Sequence, residues 1–214
     1  MYTVSTLKND QLTDGAEHAR SYHHGNLRES LILKGLELLE SSQDADISLR
    51  ELAREVGVSA NAAYRHFANK DALLLAMAAE GFTRFSQGQM DAMQTGESPM
   101  QRFMLAGRAY IDFACKNPAL YRLMFGRFSA SHRSDDVTNP GNLAFQGLIN
   151  MISTILQLNP ESPQVNSAAI HAWSVVHGLS TLILDGHFDR HADHIDAFID
   201  DVFAQNMLFF GKKF

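Results

Sequence analysis

Apolar side chains recur every three or four positions along most of this chain. Leu27, Leu31, Gly35 and Leu38 form one stripe; Phe103, Gly107, Tyr110 and Ala114 form another; Ile195, Phe198, Val202 and Phe209 extend a third. That spacing puts side chains on one face of a helix. The two-residue alternation of a half-buried strand is not found. Polar punctuation points the same way. All five prolines follow Ser or Asn: Ser98-Pro99, Asn117-Pro118, Asn139-Pro140, Asn159-Pro160 and Ser162-Pro163. Such a pair starts a helix, because the first helical N–H has no partner and proline lacks one. Ser98-Pro-Met-Gln101 and Ser48-Leu-Arg-Glu51 match the capping box, and Asn26-Leu-Arg-Glu29 does so loosely. The pattern predicts an all-α fold of about nine helices, near 26–42, 48–56, 60–67, 70–94, 99–116, 118–127, 140–158, 163–186 and 193–210. Residues 129–139 read as an exposed loop.

Composition adds few constraints. The chain has 214 residues, 45% hydrophobic and 20% charged, a globular mixture. No apolar run reaches the roughly 18 residues that would suggest a membrane span, and the N-terminus has no signal-peptide core. Cys115 is alone and forms no internal disulfide, so a cytoplasmic protein without a membrane partner is expected. Cys115 lies on a helix face that reads as buried, which argues against a redox sensor. Net charge is −6. Residues 20–70 carry seven Lys or Arg against seven acids, while residues 71–214 carry ten against fourteen. A neutral head and an acidic body permit a nucleic-acid contact without requiring one.

The segment VGVSANAAYRHFANK, Val56 to Lys70, holds the densest chemistry. Gly57 stands where a left-handed residue would end one short helix, and Ser59 where a cap would start the next. Two short helices around a glycine turn make a helix-turn-helix, whose second helix can enter a major groove. Ala60 and Ala62 would let it approach base edges, with Tyr64, Arg65 and His66 in reach of phosphates or bases. Phe67 would anchor it among Leu31, Leu52 and Leu73. Ser48, at a helix N-terminus, could hold a phosphate, and Lys70 starts a helix where a cation is disfavoured unless an anion faces it. Spacing alone suits an ordinary helical hairpin equally well.

SYHHGNLRESL followed by SLRELAREVGVSANAAYRHFANKDALLLAMAAEGF resembles the DNA-binding head of TetR/AcrR-family transcriptional regulators, over about residues 21–82. Further on, residues 117–126 and the segment Trp173 to Leu179 (WSVVHGL) are similar to the branch whose C-terminal domain is named for a Trp-His-Gly motif. The resemblance implies a ligand-responsive, sequence-specific regulator: a homodimeric repressor released from a palindromic double-stranded DNA operator by a largely apolar small molecule. It is not an enzyme and uses no cofactor on this reading. The implied plan is a flexible arm at 1–22, a helix-turn-helix domain at 23–69 and an effector-binding and dimerisation domain at 70–214. Carried over by position, the resemblance gives phosphate contacts to Ser48, Ser59, Tyr64, His66 and Lys70, and puts Ala60, Asn61, Ala62 and Arg65 near base edges. Many relatives have a larger polar residue in place of Ala60, so base readout here would rest chiefly on Asn61 and Arg65. His23, His24 and Arg28 could assist.

Beyond residue 82 the helices are rich in Phe and Met, which suits either a plain core or an adaptable pocket. The implied effector pocket draws on Phe85, Phe103, Tyr110, Phe113, Tyr121, Met124, Phe125, Trp173 and His177. Two late helices are apolar on several faces. The resemblance pairs them with their copies in a four-helix bundle, through Val176, Leu179, Ile183, Phe198, Val202, Phe203 and Phe210. A rival reading takes His187, His191 and His194, with Asp185 nearby, as zinc ligands of a metal-dependent hydrolase. No nucleophile–base arrangement accompanies them, and Asp193 there reads as a helix cap.

Overall fold

The computed structural model describes residues 26–41, 47–126, 138–188 and 194–210. The expected arm at 1–22, His23, His24 and residues 129–137 of the expected loop lie outside the described residues. The described residues form helices and turns only: α1 Leu27–Ser41, α2 Leu49–Val56, α3 Ala60–Tyr64, α4 Lys70–Met93, α5 Pro99–Lys116, α6 Pro118–Phe125, α7 Pro140–Leu156, α8 Pro163–Leu184 and α9 Ile195–Phe210. Four of the five prolines open a helix as expected. Pro160 does not. It sits in a turn in which Ser162 N–H donates to the Asn159 carbonyl at 2.9 Å, and the helix starts three residues later at Pro163.

The capping chemistry explains most boundaries. Ser98 and Gln101 form a complete capping box at α5. Asn26 accepts from Glu29 N–H at 3.4 Å. Gly57 adopts φ +77, and the Val58 N–H reaches the Ala53 carbonyl at 2.9 Å, which closes α2. A side chain at that φ would be strained.

α1, α2 and α3 pack on one another, and α1 packs on α4, which also runs beside α5, α6 and α7. One apolar core passes through both parts, from Leu31, Leu52, Phe67 and Leu73 through Met77 to Phe85, Tyr110 and Met124. Phe67 is buried in it with Leu31, Leu52 and Leu73, as its position in the sequence suggested. At Gly81 the helices approach so closely that a Cβ would meet Met124 Sδ at 2.6 Å. α8 is long and apolar enough, by length and composition, to cross a membrane. Its Ala168, Ala169 and Ala172 are nevertheless packed against α7 side chains.

Candidate functional site

The outer face of the α2–α3 hairpin gathers hydrogen-bonding side chains of the segment Val56 to Lys70. Ser59 caps α3 by accepting from Ala62 N–H at 3.3 Å, and Asn69 caps α4 by accepting from Ala72 N–H at 2.8 Å. Ser48 precedes α2 in extended conformation but makes no side-chain cap, so the capping box expected with Glu51 is not formed. α3 is shorter than its apolar pattern suggested. Arg65 already closes it, and a tight turn follows, with His66 and Phe67 N–H both donating to the Ala63 carbonyl. That turn sends Phe67 inward beside buried Ala63 and leaves Ser48, Ser59, Asn61, Tyr64, Arg65 and His66 exposed. Ala60, Ala62 and Lys70 are half-buried. Tyr64 is 43% exposed, a large aromatic ring held out on a helix whose other face is anchored. Arg28 comes from α1 to lie over the Phe67 ring, 5.3 Å from its centre.

The second feature is a half-open cavity of about 1260 Å³ between α4, α5, α7 and α8, with Met124 and Phe125 of α6. Of the residues expected there, Phe85, Phe103, Tyr110, Met124, Phe125, Trp173 and His177 line it. Phe113 does not; it packs edge-on against Phe85, with ring centres 5.4 Å apart. Tyr121 does not either; it is buried behind the wall, with its hydroxyl on His177. The sequence reading missed the wall given by α7, Phe145, Leu148 and Met151. Their spacing of three on one helix face was the available signal.

At one end of the cavity four polar side chains meet. Trp173 Nε1–H donates to the Tyr110 hydroxyl at 3.3 Å. The Tyr110 and Tyr121 hydroxyls lie 2.9 and 2.7 Å from His177 Nδ1, and 3.4 Å from each other. Burial pushes both tyrosine hydroxyls above their ordinary value and His177 below its own. All four groups are therefore neutral near pH 7. A neutral ring nitrogen holds one proton or one lone pair, so Nδ1 cannot serve both hydroxyls fully.

Two contacts tie the hairpin region to the cavity. α4 begins just after the hairpin and carries Phe82, Phe85 and Met90 into the cavity wall. Glu40, in the last turn of α1, accepts from Ala119 N–H at 3.3 Å and Leu120 N–H at 2.8 Å. Pro118 has no N–H, and Asn117 uses its amide on the Phe113 carbonyl, so α6 takes its cap from another helix. A carboxylate there satisfies orphan donors and faces the positive end of the helix dipole.

Of the residues expected at a dimer interface, Leu179 and Phe203 are buried inside this chain with Ile111 and Ile199, and Val176, Ile183 and Val202 pack partly against them. Phe198 is 40% exposed. Phe210 has no described side chain. In the histidine-rich loop, His191 and Asp193 lie outside the described residues, and among the described residues no metal-holding cluster occurs. Cys115 is exposed, against the expected buried face, since it lies on the side of α5 that carries Asp112 and Arg108. Partial burial, then the Asp112 charge, pushes its thiol pKa up.

Known proteins align with both parts. Residues 41–77 match the family described as bacterial regulatory proteins, tetR family, and residues 103–205 match the tetracyclin repressor-like C-terminal domain. The chain is 28% identical over 138 residues to nucleoid occlusion factor SlmA of Photobacterium profundum, covering 62% of this chain and 67% of the relative. It is 32% identical over 107 residues to the SlmA of Vibrio cholerae, covering 47% and 52%. The chain thus spans between half and two thirds of the length of these relatives. A solved protein of unknown function from Rhodococcus sp. RHA1 superposes with a TM-score of 0.71 at 29% identity, over 86% of this chain and 97% of its own. A TetR variant of Acinetobacter baumannii AYE in complex with minocycline shares the fold, with a TM-score of 0.59 at 19% identity over 85% and 96%.

Proposed function

Because the chain belongs to the TetR family of transcriptional regulators, we propose that it is a homodimeric repressor, released from a palindromic operator when a small molecule fills the cavity. As a member of that family it is a DNA-binding regulator of transcription. The observation that carries the finer reading is an exposed hairpin joined by one continuous helix, α4, to a large half-open cavity. On this reading residues 23–69 read DNA and residues 70–214 sense and dimerise. Asn61 and Arg65, with Ala60 and Ala62 allowing close approach, meet base edges, while Ser48, Ser59, Tyr64, His66 and Lys70 hold phosphates. Two copies address half-sites about 34 Å apart. The protein acts in the cytoplasm, at the chromosome, and carries out no catalysis.

Ligand action needs a differential affinity for two arrangements of the same helices. A molecule seated against Phe85, Met124 and Phe125 displaces α4 and α6. Both are anchored to the head, α4 through its start and α6 through Glu40, so the heads move relative to each other. Its SlmA relatives carry the name of a nucleoid occlusion factor; the cavity favours a ligand-responsive regulator instead. The test is selection of binding sites from random duplexes with the full chain at moderate salt. Enrichment of a palindrome with two half-sites supports the reading. Recovery of no preferred sequence overturns it.

A further inference from the structure

Among the described residues that line the cavity there is no Lys, Arg, Asp or Glu. An ion seated against that wall would give up part of its hydration without meeting a counter-charge, which is unfavourable. An aromatic wall can hold a quaternary ammonium by its ring faces. Here several of the rings pack edge to face on one another. Phe85 meets Tyr110 at 5.0 Å and 89°, and Phe82 meets Phe125 at 5.2 Å and 76°. No carboxylate backs them.

The polar groups in the wall are unequally occupied. Asn139 accepts from Gly141 N–H, Gln89 donates to the Ala106 carbonyl and Ser174 to the Ile170 carbonyl. Each of these side chains has a backbone partner. The Tyr110–Trp173–His177 group is different. Two hydroxyls crowd one edge of the imidazole, and no hydrogen bond joins His177 Nε2 to a described residue. Among the described residues of the wall, polar side chains meet one another here, beside the aromatic surface of Phe85, Phe125 and Trp173. We propose that the effector is a bulky, uncharged, mostly apolar compound bearing one hydroxyl or carbonyl oxygen, which docks on Tyr110 and His177 with its apolar body along Phe85, Phe103 and Phe145. Tyr121, outside the cavity wall, is a positioning residue that holds His177 Nδ1. This assignment rests on the cavity being the effector site of a regulator.

Trp173 is the single tryptophan of the chain and lies in the cavity wall, so its fluorescence reads occupancy without DNA. Adamantanol, methyladamantane, adamantanecarboxylate and adamantyltrimethylammonium share one tricyclic body and differ in the head. Adamantanol should bind saturably, about tenfold more tightly than either charged probe. Tyr110→Phe should weaken adamantanol about fivefold and leave methyladamantane unchanged. Equal or tighter binding of a charged probe, an equal effect of Tyr110→Phe on both neutral probes, or no saturable adamantanol binding each overturns the proposal. Release of the selected palindrome is scored in parallel. A charged probe that binds better and releases DNA defeats the neutral-ligand assignment while supporting the regulator. Adamantanol that binds as described yet never releases DNA supports the ligand class and defeats the regulatory reading.

Discussion

At His177 two tyrosine hydroxyls compete for one imidazole edge, and burial holds the ring neutral. The folded chain thus binds the His177 proton less readily than the unfolded chain, whose value is about 6.5. Its contribution to stability is complete above that value and is lost as pH falls through the depressed folded value. The melting temperature of His177→Gln should therefore decline less between about pH 7.5 and 5 than that of the parent chain. Parallel declines would show that another group dominates. On the hairpin, chemistry divides the exposed residues differently. Removing Arg65 should relax preference at one base position at a cost of about 1–3 kcal/mol, whereas Tyr64→Ala should weaken all sequences alike. Site selection with each variant checks this, and an unchanged profile for Arg65→Ala would remove it from base readout.

The helices show which signals the sequence carries. Where Asn or Ser precedes a proline at the first helical position, as at Ser98, Asn117, Asn139 and Ser162, the start was readable, although Asn117 makes no cap with its own side chain. Asn159-Pro160 carries the same pair and makes only a turn, since the stronger start at Pro163 follows at once. The aromatic part of the cavity was readable as composition, and its α7 wall was not. Composition does not say which helix faces which. Least legible was Glu40. The N–H groups that donate to it lie 79 and 80 residues away, and no spacing rule reaches that far. That contact carries its own expected outcome. Glu40→Ala leaves two N–H groups of α6 without a cap, and should destabilise the chain by about 1 kcal/mol. More tellingly, effector affinity read at Trp173 should be preserved while the effector's weakening of DNA binding shrinks. If release remains as complete as in the parent chain, α6 is not a route between cavity and head.

At the scale of the whole molecule, one core runs from the reader to the cavity, so the head is not a free module on a linker. Motion in the body must then reach the head through packed side chains, and two heads must be held at a fixed separation for that motion to matter. Within one chain the α8 and α9 side chains divide into two sets. Leu179 and Phe203 close the protomer's own core against Ile111, and replacing either with Asp would bury a charge and unfold the chain whatever its partner state. Leu182 and Phe198, 44% and 40% exposed, can meet a second copy without serving that core. The discriminating variant is therefore Leu182→Asp combined with Phe198→Asp. It should keep its helical content, elute at half the parent's mass on sizing, and bind a palindrome no more tightly than a single half-site, because the linkage between heads is lost. A double variant that still elutes as a dimer would place the contact on another face, and with it the axis that sets the spacing of the two readers.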